Sequence, residues 1–140
     1  MKSYEARTRI DAEPQKVWGV LIDVQGWPSW DSGVLRVEGR AAEGEKIKLV
    51  SEANPGRAFS LRVTKVTPAT SMVWTGGMPL GLFRGVRTFT LQPEDGATRF
   101  HLREDYTGPM VPLIWKSMPD LQPSFDKFVS GLKRHVESAA

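Results

Sequence analysis

Residues 14–30 read Pro14-Gln15-Lys16-Val17-Trp18-Gly19-Val20-Leu21-Ile22-Asp23-Val24-Gln25-Gly26-Trp27-Pro28-Ser29-Trp30. Val17, Trp18, Leu21 and Ile22 recur at helical spacing and make one apolar face. Pro14 is tolerated in a first helical turn, where its missing N–H would have no intrahelical partner, and Asp11 or Glu13 can cap the start. Gly26 and Pro28 end the helix. Three of the five tryptophans fall in this helix and the turn after it. A lone amphipathic helix placed early in a strand-rich chain plugs the end of a curved sheet instead of covering it, so the stretch points to a container. Trp18 is expected in the core, and Trp27 and Trp30 are expected to lock the plug against the sheet.

The flanking sequence supplies the sheet. Residues 3–10 alternate, with Tyr4, Ala6, Thr8 and Ile10 on one side and Glu5, Arg7 and Arg9 on the other. Strands follow at 33–39, 45–51, 58–66, 70–75, 82–92 and 97–107, separated by turns such as Asn54-Pro55-Gly56, Thr67-Pro68 and Pro93-Glu94-Asp95-Gly96, with a Gly/Pro/Met loop at 76–81. Leu121, Phe125, Phe128, Val129, Leu132 and Val136 then fall on one stripe of a long closing helix. Pro119 and Pro123 mark its beginning, so 111–118 reads as a separate turn or a kinked helix. Neither repeats nor an interdomain linker interrupt the 140 residues, which read as one domain, 1–140.

Composition narrows the function class. The net charge of +3 is spread over strands in which Lys and Arg alternate with Asp and Glu, which argues against a nucleic-acid partner. Without cysteine there is no disulfide, thiolate ligand or Cys nucleophile, and only His101 and His135 offer imidazole. Charges near the N-terminus and the lack of a long apolar run predict no signal peptide and no stable membrane insertion, hence a cytoplasmic protein. Metal-ligand clusters, Gly-x-Ser-x-Gly, His-Glu-x-x-His and phosphate-cradling glycine loops are missing, so neither a metal nor a cofactor is expected.

The order of elements, the Pro-x-x-Val-Trp-x-x-Leu-x-Asp and Trp-Pro-x-Trp pattern of 14–30, the Gly96-Ala97-Thr98 turn leading to Glu104, and the final helix together resemble the START-like, birch-pollen-allergen-like (SRPBCC) superfamily. More narrowly they resemble its polyketide cyclase/dehydrase and lipid-transport branch. The resemblance implies an α+β helix-grip fold: a curved seven-stranded antiparallel sheet wrapped around a long C-terminal helix, with two short helices after the first strand. It also implies a deep, mainly apolar cavity between sheet and helix. Members bind lipids, sterols, polyketides or hormones, and a minority catalyse cyclisation, dehydration or hydrolysis, so the fold alone decides no chemistry.

Alternation assigns side chains to faces on the last two strands. One face of 82–92 carries Phe83, Gly85, Arg87, Phe89 and Leu91; the apolar face of 97–107 carries Thr98, Phe100, Leu102, Glu104 and Tyr106. The simplest hairpin register sets Gly85 opposite Glu104, with Arg87 diagonal to it. A charge on a low-dielectric face is costly unless paired, so Arg87 and Glu104 either satisfy each other or await a polar ligand group. They are the expected polar end of the cavity, with hydroxyls from Tyr106 and Tyr4. Arg87, Glu104 and Tyr106 are also the candidates for any catalytic role.

The apolar walls are expected from Phe83, Phe89, Phe100, Leu102 and, on the closing helix, Phe125. Trp74 and Trp115 are expected at the mouth, as ligand contacts or as packing, with Met78 and Met118 beside them. Segments 76–83 and 108–118 are apolar, Met-bearing and glycine-punctuated, which fits a gate for an apolar molecule or a protein interface. The leading expectation is binding or transport of a lipid-like, polyketide-like or aromatic molecule by a monomer or homodimer. A cyclase/dehydrase-type enzyme is the alternative, weakened by the lack of a second base. A chaperone- or stress-associated interaction protein is the third, and an interior filled by large side chains would favour it.

Overall fold

The computed structural model describes residues 2–138. Strand β1 (Lys2–Ile10) leads into helix α1 (Pro14–Ile22) and a 3-10 turn (Val24–Ser29). Strands β2 (Val34–Glu38), β3 (Lys46–Ser51), β4 (Ala58–Thr67), β5 (Ser71–Met78), β6 (Phe83–Glu94) and β7 (Ala97–Thr107) follow, then α2 (Val111–Ser117) and α3 (Gln122–Ser138). All seven strands form one antiparallel sheet in the order β1-β7-β6-β5-β4-β3-β2, because the chain meanders until β7 returns to pair with β1. The sheet grips α3, which lies chiefly along β1 and also meets α1 and β7. The expected α+β helix-grip architecture is present.

Two local departures move the site. The expected loop at 76–81 begins later, because β5 runs on through Gly76, Gly77 and Met78, opposite Gly85, Arg84 and Phe83. Gly77 has a φ of 134°, and a Cβ there would collide with the Phe83 carbonyl oxygen, so only glycine lets the two strands stay paired this far. The second departure is the register of β6 and β7. Glu94 pairs with Ala97 across a two-residue turn, Asp95-Gly96, both with positive φ (50° and 81°). An Asp-Gly turn of that kind matches the right-handed twist of the strands it joins. It slides the register two residues from the expected one: Arg87 faces Glu104 directly, and Gly85 faces Tyr106.

Glu13 is the N-cap residue of α1, but no side-chain capping bond forms there; the Asp11 N–H instead donates to Glu137 Oε2 at 2.8 Å, tying the entry of α1 to the end of α3. Val17, Trp18 and Leu21 bury the apolar face of α1. Trp27 stacks on Trp74 with ring centroids 5.3 Å apart, and its Nε1–H donates to the Leu21 carbonyl at 3.2 Å. Phe128 of α3 meets Trp27 edge-on at 4.8 Å, and Phe89 lies 5.0 Å from Trp74. This aromatic stack locks plug, sheet and closing helix together, each ring pair adding about 0.5–1.5 kcal/mol beyond area burial. Trp30 packs on Phe128 and stacks on His135. α3 can approach the turn after α1 only because residue 131 is glycine: a Cβ there would overlap the Asp31 carbonyl oxygen.

Candidate functional site

Antiparallel pairing lines up one crosswise row on the face toward α3: Tyr4 on β1, Glu104 on β7, Arg87 on β6 and Trp74 on β5. The adjacent row, toward the β5–β6 turn, carries Lys2, Tyr106, Gly85 and Gly76. Arg87 Nε donates to Glu104 Oε1 at 2.9 Å, with the two side chains 19% and 9% exposed. The guanidinium lies over the Phe125 ring, 5.1 Å from its centroid, an arrangement that favours a cation out of water. Its terminal nitrogens, Nη1 and Nη2, have no hydrogen-bond partner among the described residues. Arg87 is thus neutralised through one edge and leaves its fork unused.

Aromatic rings close over this pair. Trp115, brought in by the seven-residue α2, stacks on Tyr4 at 5.1 Å and meets Tyr106 edge-on at 5.5 Å. Tyr4 also contacts Phe125, and Phe83 stacks on Tyr106 at 5.8 Å. Tyr106 is only 3% exposed; its hydroxyl meets no partner at full hydrogen-bond geometry, but lies close enough to the Glu104 carboxylate to feel it both as a charge and as an acceptor. Burial first, and the Glu104 charge second, push the Tyr106 phenol well above its usual range, so it stays a neutral donor. Among the described residues, the Trp74 indole N–H is the other buried side-chain polar group without a partner.

The structure brings Arg87, Glu104, Tyr106, Phe83, Trp115 and Phe125 together, with Tyr4. Trp74 shares their row but not the expected mouth: it is fully buried at the centre of the core, because β5 extends four residues past it. Phe89, Phe100 and Leu102 lie on the same face in the packed interior. Met78 is exposed at the end of β5, and Met118 follows α2, half-buried. Lys2 went unplaced in the sequence, although the alternation of Tyr4, Ala6 and Thr8 extends back to it; its Nζ stands 5.8 Å from the centroid of Trp115.

Where the open cavity between sheet and α3 was expected, Trp74, Phe89 and Phe100 of the sheet and Phe125, Phe128 and Leu132 of α3 belong to one buried apolar core. Two shallow concavities lie elsewhere on the surface. One, of about 370 Å³, is lined by Arg7, Arg99, His101 and neighbours on β1, β6 and β7. The other, of about 280 Å³, is lined by Lys2, Thr107, Gly108, Val111 and Pro112. Both histidines are away from Arg87: His101 Nε2 is 2.9 Å from Glu5 Oε1, and His135 stacks on Trp30. No group of three or more His, Cys, Asp or Glu suited to a metal ion occurs among the described residues. None of the described helices is long and apolar enough to cross a membrane.

Comparison with known proteins agrees with this architecture. Among solved structures, protein MLL2253 from Mesorhizobium loti superposes with a TM-score of 0.74 at 16% identity, covering 99% of each chain. The Zhui aromatase/cyclase from Streptomyces sp. R1128 gives 0.74 at 14% identity, over 97% of this chain and 93% of that one. Aha1 from Colwellia psychrerythraea, solved as a dimer, gives 0.74 at 19% identity over 98% and 97%. At these identities the likeness is one of fold. A search of curated proteins finds no match. The sequence pattern of one family, described as polyketide cyclase / dehydrase and lipid transport, matches residues 1–137, and the chain belongs to that family.

Proposed function

We propose that the protein binds an apolar small molecule carrying one polar group, lipid-like, polyketide-like or aromatic, seated against the sheet at Arg87 and Glu104. The observation that carries this reading is the Arg87 guanidinium, engaged by Glu104 through Nε alone and one row from the Tyr106 hydroxyl, which has no well-aligned partner, on a face otherwise built from apolar and aromatic side chains. A buried ion pair is about 1–4 kcal/mol worse than, or at best equal to, well-packed hydrocarbon, and an unsatisfied hydroxyl costs about 1–3 kcal/mol more. One row further along the same strands, Phe89 and Leu102 fill equivalent places with hydrocarbon. A ligand oxygen that accepts from Arg87 and Tyr106 accounts for the polar choice.

Access requires displacement of Trp115. It sits on a short helix between Gly108 and Met118-Pro119, held inward by ring contacts with Tyr4 and Tyr106. The ligand's rings or chain replace those contacts when the Trp115 side chain swings out. The site supports binding better than turnover. Glu104 is engaged by Arg87, Tyr106 is held neutral, and neither histidine is present to move a proton. A second reading, a protein acting through its surface, is favoured by the packed centre formed by Trp27, Trp74, Phe89 and Phe128.

Native mass spectrometry of freshly purified protein separates the two. A small-molecule adduct in the wild type that disappears in Arg87→Met/Glu104→Leu supports the binding reading. An adduct-free wild type that also fails to bind added 1-acetonaphthone, a naphthalene ketone, overturns it and leaves the surface reading.

A further inference from the structure

We infer that the end of the sheet formed by the β5–β6 turn and α2 docks onto an anionic lipid bilayer. The inference goes beyond the ligand reading and stands whether or not Arg87 holds a ligand. Its first support is an apolar prong. Leu80 is 95% exposed, Leu113 63%, Met78 42% and Leu82 37%, and all four belong to segments meeting at one end of the molecule. The Met110 N–H donates to the Leu82 carbonyl at 2.9 Å, and Gly108 is packed against the carbonyls of Gly81 and Leu82, so the start of α2 is fastened to the turn.

Leu80 breaks two rules at once. It has a φ of 61°, in the left-handed region where glycine or asparagine sits most easily, and it places a bare isobutyl group in water. Neither solubility nor turn geometry calls for leucine there. A side chain that inserts among lipid chains accounts for both departures.

Charge decides the occupant. Arg84, Lys116 and Lys2 are exposed around the prong, three cations in a chain whose whole net charge is +3. Residues 76–84 and 106–118 contain no Asp or Glu. The carboxylates adjoining them in sequence are committed elsewhere: Glu104 to Arg87, Asp105 to Arg103, and Asp120 to the Gln122 N–H at the start of α3. A symmetric contact with a second copy would set this all-cationic patch against itself with nothing to neutralise it. An anionic leaflet attracts each cation and accepts a protruding leucine without needing a matching pocket.

Co-sedimentation with vesicles tests the inference. One set is phosphatidylcholine with about one part in four phosphatidylglycerol, and the other is phosphatidylcholine alone. Binding to the anionic set is expected, with release at about 1 M salt, where screening acts within roughly 3 Å. At about a factor of five per surface cation, Arg84→Glu/Lys116→Glu is expected to weaken binding by at least about 25-fold. Leu80→Ser/Leu113→Ser removes two exposed side chains, so it is expected to abolish binding with thermal stability unchanged. Equal binding by that variant, or no binding by the wild type, overturns the inference. So does a concentration-dependent dimer in sedimentation velocity that the leucine variant dissolves, with no vesicle binding.

Discussion

Replacing Arg87 with Met tests whether the pair with Glu104 lies in a low-dielectric site. Breaking a fully buried pair by deleting one partner costs about 3–5 kcal/mol, because the other charge stays behind unpaired. Here the side chains retain 19% and 9% exposure, so some solvent relief remains and the expected loss is about 2–3 kcal/mol. For a chain of this size that is a fall in Tm of about 6–12 °C. Met keeps an apolar stem against Phe125, so most of the loss reports charge and not packing. Arg87→Met/Glu104→Leu removes both charges together and is expected within about 1 kcal/mol of wild type, or above it. Urea unfolding followed by tryptophan fluorescence reads all three proteins. A cost below about 0.5 kcal/mol for Arg87→Met would refute the reasoning, since it would mean Glu104 is fully solvated without its partner. A double variant as unstable as the single one would place the loss in packing.

Tyr106→Phe deletes a buried hydroxyl that lacks a well-aligned partner and should raise stability by about 1 kcal/mol, read as an increase in Tm, while weakening any ligand that accepts from it. Gly131→Ala improves helix propensity yet drives a methyl into the Asp31 carbonyl, and a net loss of about 1–3 kcal/mol by urea titration is expected. Glu137 accepts from Lys133 Nζ and from the Asp11 N–H, both at 2.8 Å, and these bonds hold its carboxyl below the ordinary value of 4.5. Because the folded value is the lower one, its contribution is complete above pH 4.5 and is lost as pH falls through the folded value. The Tm gap between wild type and Glu137→Gln should therefore be present at neutral pH and close in acid; a gap independent of pH would contradict the assignment.

Alternation along β6 and β7 was enough to place Arg87, Glu104 and Tyr106 on one face, because a period of two leaves no freedom about which side a residue faces. Their direct juxtaposition was not legible in the same way. It depends on whether the chain turns over four residues, 93–96, or two, Asp95-Gly96, and a shift of two residues keeps every side chain on its face while changing every partner. Trp74 was misplaced for a related reason. Gly76-Gly77-Met78 reads as a loop by composition, yet those glycines let β5 stay paired beside β6, so a residue expected at a rim became the centre of the core. What fills the interior was the least legible feature. Tyr4, Tyr106, Trp115 and Phe125 come from four different elements, β1, β7, α2 and α3, and their closure over Arg87 is set by tertiary geometry that no local pattern encodes.

Side-chain NMR of arginine and tryptophan tests the central claim most directly. Titration with 1-acetonaphthone is expected to shift the Arg87 Nε–Hε and Trp115 Nε1–H signals together and saturably, with smaller changes at Trp18 and Trp30. An unmoved Arg87 signal under conditions where the ketone binds would contradict a ligand site at Arg87 and Glu104.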